Sequence, residues 1–444
     1  ATTEIYTLSL HDALPILSAW VLMGLPASIY LSGMGQTWIA IGLGIGYAVS
    51  WIVMAPRLRR FSIAAGDSIT IPQYLTNRFL SKNKSLQILS AVIFLVAYTI
   101  YAASSIKACG TLFHTVMDVN PTVAMYIAAF IIVAYTFLGG FSAVCWTDFF
   151  QGMIMLAALL IAPLFALALA KAGDGAVAGA TLPEGFFNFF TTPQDIISGL
   201  GWGLGYFGMP HIIIRFMSLK SEKELRKSSV IGISWTTIIL IMSALTAVAG
   251  RLYLGEIDDP STVFITMVRR IFPALVSGLL LSAILSAAMS TADSQLLAAS
   301  SAFASDVYKP VIRKKASDSE MLWAGRIVVI VIAVVALMIA SDPNSGSIMG
   351  LVENAWGVFG AAFGPVILLS LFWKRLTFGG TVAGIAAGAA VDILWLVFLS
   401  STDIYEIVPG FAAGLLAAVV VSLLSKGPGK DVEDLFDRAV DLKS

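Results

Sequence analysis

The chain has 444 residues, 58% of them apolar and only 12% charged, with a mean hydropathy of +0.88 and no formal net charge. A soluble protein of this length needs a charged shell that this composition cannot supply, whereas lipid covers apolar faces directly. A neutral balance gives nucleic acid nothing to bind, and Cys109, Cys145, His11, His114 and His211 are too scattered for a disulfide framework or a metal cluster.

In chain order, a short apolar piece at 17–32 is followed by full-length candidate spans at 36–55, 88–110, 121–141, 149–171, 193–213, 229–250, 272–303, 322–341, 350–373, 377–399 and 403–424. A polar, amphipathic tail closes the chain from 425 to 444. Lys and Arg crowd alternate loops: Arg57, Arg59, Arg60, Arg78, Lys82 and Lys84, then Arg215 to Lys227, Lys309 to Lys315, and Lys374 with Arg375. These loops and the C-terminus are expected on the cytoplasmic side. Lys107, near the outer end of its span, is expected to snorkel.

Five spans precede residue 171 and five more run from 193 to 373. An odd count per half places the halves in opposite orientations, the layout of an inverted repeat. The expectation is an all-α polytopic membrane protein with repeat one at 17–171, repeat two at 193–373 and two extra helices at 377–424.

In such folds the binding site forms where the first helix of each half breaks. The second half opens with Gly199-Leu-Gly-Trp202-Gly-Leu-Gly-Tyr206-Phe-Gly-Met-Pro210, in which glycine and proline weaken any helix. Trp202 and Tyr206, four apart, would share a helical face and form an aromatic wall; close helix packing at the glycines, with the aromatics as interface anchors, is the alternative. The G-x-G-x-x-G match at Gly203–Gly208 has no strand before it and no acidic ribose partner, so it is not a dinucleotide site.

The 272–303 span carries Ser282, Ser286, Ser290, Thr291, Asp293 and Ser294 among Ala, Leu, Ile and Met. Ser286, Ser290 and Ser294 line one stripe, and an acid inside a span is costly unless it faces a cavity or an ion. Hydroxyl, carbonyl and carboxylate oxygens suit a small hard cation, with polar glue between helices as the plainer reading. Asp148 is a second acid candidate, with a helix N-cap as its alternative.

At Trp20–Gly33, Tyr135–Asp148, Gly201–Met217, Leu280–Leu297 and Gly357–Pro365 the chain resembles the solute:sodium symporter family, in its proline-carrying branch, from about Leu17 to about residue 425. The resemblance implies a leucine-transporter-like five-plus-five core and sodium-coupled uptake of proline, with no organic cofactor and no obligatory protein partner. It places substrate against Trp202, Tyr206 and Pro210, with Tyr101 and Ser18 nearby. It places the principal sodium on backbone oxygens of Leu17 and Ala287 and on the hydroxyls of Ser290 and Thr291. A second sodium, bound by some relatives, would use Asp148, Ser290, Asp293 and Ser294, although Asp293 stands where relatives carry serine or a similar residue. The family pattern has Asp at the position of Ile16. Residues 1–16 resemble translated sequencing-adapter sequence, so the chain as written is expected to lack its first helix and half of the second, and to transport poorly. Other small solutes (another amino acid, sialic acid, pantothenate) or a membrane-embedded sensor are the alternatives. An enzyme is not expected, because no nucleophile–base pair or metal-ligand set is visible.

Overall fold

Hydroxyl and amide side chains cap the starts of several helices. Asn120 accepts from the amides of Thr122 and Val123 ahead of Pro121, and Thr192 and Asp195 close a reciprocal capping box around Pro193. Ser317, Ser347 and Thr377 cap three later helices in the same way. The computed structural model describes residues 18–68, 70–173, 182–219 and 222–442, without the side chains of 135, 138–149, 222–223 and 310–311.

The helices, in order, are α1 (Ala19–Leu22), α2 (Gly24–Ser32), α3 (Thr37–Val49), α4 (Ala55–Ala64), α5 (Ile71–Arg78), α6 (Ser85–Met117), α7 (Pro121–Lys171), α8 (Pro193–Gly201), α9 (Pro210–Ser218), α10 (Glu222–Leu254), α11 (Val263–Ile271), α12 (Ala274–Ala302), α13 (Asp318–Ser341), α14 (Ile348–Phe372), α15 (Phe378–Phe398), α16 (Ile407–Leu424) and α17 (Lys430–Asp441). A π-helical turn, Ser50–Met54, joins α3 to α4, and another, Phe303–Ile312, extends α12. Among the described residues nine helices are long and apolar enough to cross a membrane, and they match nine of the expected spans.

The other two spans differ from expectation. Residues 193–213 are not one helix but α8, a 3-10 segment at Trp202–Phe207, and α9. Spans 121–141 and 149–171 run together as the 51-residue α7, because the glycines at 139 and 140 lower helix propensity without breaking the backbone. Of α7, Phe150–Lys171 has membrane-crossing length and Pro121–Ala134 is shorter.

The basic loops gather at one end of the bundle. Arg78 is fully buried there, donating to the carbonyls of Ser370 and Val432 and lying over the rings of Phe61, Phe79 and Phe436. Arg59 reaches the carbonyl of Met217, and Arg57 that of Leu371. Burial pushes the Tyr74 hydroxyl, bonded to Ser370 at 2.9 Å, up to about 12. The tail folds as α17 against this end, burying Val432, Leu435, Phe436 and Ala439. At the opposite end Lys107 reaches the Ser345 hydroxyl and the Gly346 carbonyl, as expected of a snorkelling lysine.

Candidate functional site

The break after α8 follows from its glycines. The chain tightens to a 3-10 turn from Trp202 to Phe207, and the amides of Gly208 and Met209 both close on the Gly205 carbonyl. Met209 is extended, and Pro210 then starts α9, where its missing N–H costs nothing. The same glycines allow close approach. A Cβ on Gly203 would lie 2.3 Å from the Gly42 carbonyl oxygen of α3, and one on Gly208 2.2 Å from the Phe359 carbonyl oxygen of α14. Broken helix and close packing are therefore one device, not alternatives.

The tightened turn changes the expected wall. With three residues per turn, Trp202 and Tyr206 no longer share a face. Instead both flank Trp356 of α14, at ring centroid distances of 6.4 Å and 5.1 Å. The Trp356 indole N–H donates to the Trp202 carbonyl at 2.8 Å, satisfying an acceptor that the break frees. Trp20 stacks on Trp202 at 5.7 Å and 29°, Tyr405 packs on it at 5.1 Å, and Tyr47 meets Tyr206 edge-on at 5.1 Å. Trp20, Tyr47, Trp356 and Tyr405 were not singled out from sequence. The one local signal was a tryptophan directly before the small-residue run of Gly357–Pro365.

The first half contributes a matching interruption. Ser18 is extended, α1 ends at Met23, whose φ of −121° and ψ of −46° depart from helix, and α2 resumes at Gly24. Ser243 of α10 donates to the Val21 carbonyl at 2.6 Å. Tyr101 of α6, fully buried, sets its hydroxyl beside Ser18 and Trp20, and it also faces Tyr206. Ser18, Tyr101, Trp202 and Tyr206 are thus brought together. Pro210 lies past the break, buried in the first turn of α9.

Helix α12 packs on α1 and buries Ala287, Ser290 and Thr291. Asp293 is fully buried on the same helix, and Ser294 is half-buried. Ser282 turns its hydroxyl to its own helix, onto the Leu279 carbonyl at 2.7 Å. Ile16, Leu17, the rest of residues 1–16 and the side chain of Asp148 lie outside the described residues.

Two site hydroxyls, those of Tyr206 and Thr291, are buried without a hydrogen-bond partner, while those of Ser18 and Tyr101 lie against each other. Buried hydroxyls are normally paired, so each of these two has capacity to bond a group bound beside it. Beyond Trp202, a cavity of about 670 Å³ opens on the end opposite the basic loops, lined by Thr192–Ser198 residues, Glu353 and Tyr405 among others.

This arrangement defines a multi-pass, all-helical membrane protein of the leucine-transporter-like architecture, with two interrupted segments meeting at mid-bundle. The chain belongs to the sodium:solute symporter family, whose model matches residues 8–388. It is 42% identical over 435 residues to the high-affinity proline transporter PutP of Bacillus subtilis, covering 96% of this chain and 92% of that protein. It is 44% identical to the sodium/proline symporter of Haemophilus influenzae, covering 95% and 88%. Among solved structures, a Na+-coupled sialic acid symporter shares the fold at a TM-score of 0.76 and 19% identity, over 95% of this chain and 90% of that one. MhsT, solved with L-phenylalanine, does so at 0.60 and 13%, over 94% and 97%.

Proposed function

We propose that the chain is a sodium-coupled symporter of L-proline working by alternating access. The observation that carries this reading is the buried Trp202–Trp356–Tyr206 aromatic cluster, with the Tyr206 hydroxyl unpartnered, at the meeting of two interrupted segments. An apolar imino-acid ring suits the aromatics, and its carboxylate suits free N–H groups at a half-helix end. The relatives that carry proline in their names support this substrate.

The coupling ion is sodium, held against α1 and α12 by the Ala287 carbonyl, Ser290 and Thr291, with Leu17 completing the set. A second ion would involve Asp293, Ser294 and Asp148. Sodium and proline must both favour the same conformation to shift its population. A membrane potential of about 100 mV contributes roughly 2.3 kcal/mol per sodium entering. The grouping of basic loops with α17 at one end supports a C-terminus on the cytoplasmic face of a bacterial inner membrane.

Proline uptake into proteoliposomes, with and without an inward sodium gradient, tests the proposal. Sodium-stimulated uptake of a different solute, with proline inert, would keep the machine and discard the substrate.

A further inference from the structure

Three helices beyond the broken segments bury an acidic pair that the sodium and proline sites do not use. Asp392 of α15 is wholly inaccessible, and neither of its carboxylate oxygens has a hydrogen-bond partner. Glu406, at the start of α16, is 6% exposed, and its Oε1 is likewise unpartnered. Both pack against the same glycine of α14. A Cβ on Gly357 would lie 2.9 Å from Asp392 Oδ1 and 3.4 Å from Glu406 Cγ. Glu406 also lines the 670 Å³ cavity, together with Asp195, Glu353 and Asp403, and no Lys or Arg lines it. Asp195 is occupied as a helix cap, and Glu353 acts on Glu406 only as a further like charge.

Two carboxylates in apolar surroundings, with no basic partner, are neutralised either by a proton or by a bound cation. With acidic side chains and, among the described residues, no basic ones at its wall, the cavity attracts cations. We propose that Asp392 and Glu406 form a sodium-binding station beside the outer cavity, separate from the Ala287–Thr291 set, where sodium is held before it passes the Trp202 layer. The inference rests on the symport reading for the identity of the ion. Gly357, with no side chain, lets both acids approach α14 closely, and Tyr405, whose hydroxyl donates to the Glu353 carbonyl at 2.8 Å, ties α14 to the start of α16.

The test is equilibrium binding of radioactive sodium to the purified full-length chain without substrate, at constant ionic strength maintained with choline. Asp392→Asn and Glu406→Gln should each weaken one binding component by about tenfold, and Thr291→Ala should leave that component in place. If Asp392→Asn does not fold, Glu406→Gln at the cavity wall carries the comparison. Sodium isotherms identical to wild type in the folded variants would overturn the proposal. So would unchanged sodium binding with one fewer titrating proton, which would make the pair a proton-holding site. Absence of uptake by the wild type with this component intact would count against the symport reading alone.

Discussion

Trp356 and Trp202 are joined by an indole N–H donated to a backbone carbonyl at 2.8 Å, across 154 residues of sequence. The bond spans from the unbroken α14 to the first residue of the 3-10 segment, so it fixes how the interrupted helix sits. Trp356→Phe keeps a ring beside Tyr206 but loses the donor. A net hydrogen bond of about 1 kcal/mol corresponds to roughly a fivefold rise in the proline concentration for half-maximal uptake. Trp356→Ala should cost more, since both Trp202 and Tyr206 lose their common neighbour.

The glycines of the break should divide sharply by their surroundings. A Cβ on Gly205 would lie 1.9 Å from Trp356 Nε1, and one on Gly208 2.2 Å from a backbone oxygen. Gly205→Ala and Gly208→Ala are expected to lower stability by about 1–3 kcal/mol, read as a drop in melting temperature in detergent. Gly278→Ala, with nothing within 4 Å, should melt like the parent or slightly higher.

The orphaned hydroxyls separate binding from folding. Thr291 Oγ1 and Tyr206 Oη make no hydrogen bond in the structure, so removing them breaks none. Thr291→Ala should raise the sodium requirement for uptake by about tenfold, and Tyr206→Phe the proline requirement by a similar factor, with melting temperatures held. A large loss of stability in either would show instead that the hydroxyl serves the fold.

The resemblance that places a carboxylate at position 16 yields a gain-of-function variant. Ile16→Asp should lower the sodium concentration needed for half-maximal uptake, measured in the same vesicles as the parent.

At the basic end, Arg78 holds α17 through the Val432 carbonyl and the Phe436 ring. Arg78→Ala strands two buried carbonyls and should cost about 2–4 kcal/mol. Limited proteolysis should then release the α17 segment faster than in the parent, whereas Lys374→Ala, which breaks an exposed ion pair to Asp437, should change little.

What was legible in the sequence was what local chemistry decides. Span positions follow from apolar length, and the interruption before Pro210 from glycine and proline within a dozen residues. The clustering of basic loops follows from their alternation. What was not legible depends on distant contacts. Trp20, Tyr47, Trp356 and Tyr405 acquire their place only when three helices and the turn before α16 meet around the 3-10 segment. That segment also rotates Tyr206 off the face it would share with Trp202 in an α-helix. The join of spans 121–141 and 149–171 into α7 escaped because paired glycines weaken a helix without dictating a break. The tail read as polar and amphipathic, but its docking needs Arg78 and Phe61, more than 350 residues away.

The most direct test of the central claim is radiolabelled proline uptake into proteoliposomes by the chain with its N-terminal segment restored to the family pattern, Asp in place of Ile16 included, with and without Trp202→Ala, in the presence and absence of an inward sodium gradient. The expected result is uptake that requires the sodium gradient and falls in Trp202→Ala when compared at equal amounts of folded protein in the vesicles, since loss of this buried ring also lowers stability. Proline uptake that ignores sodium, or that is untouched by loss of Trp202, would contradict it.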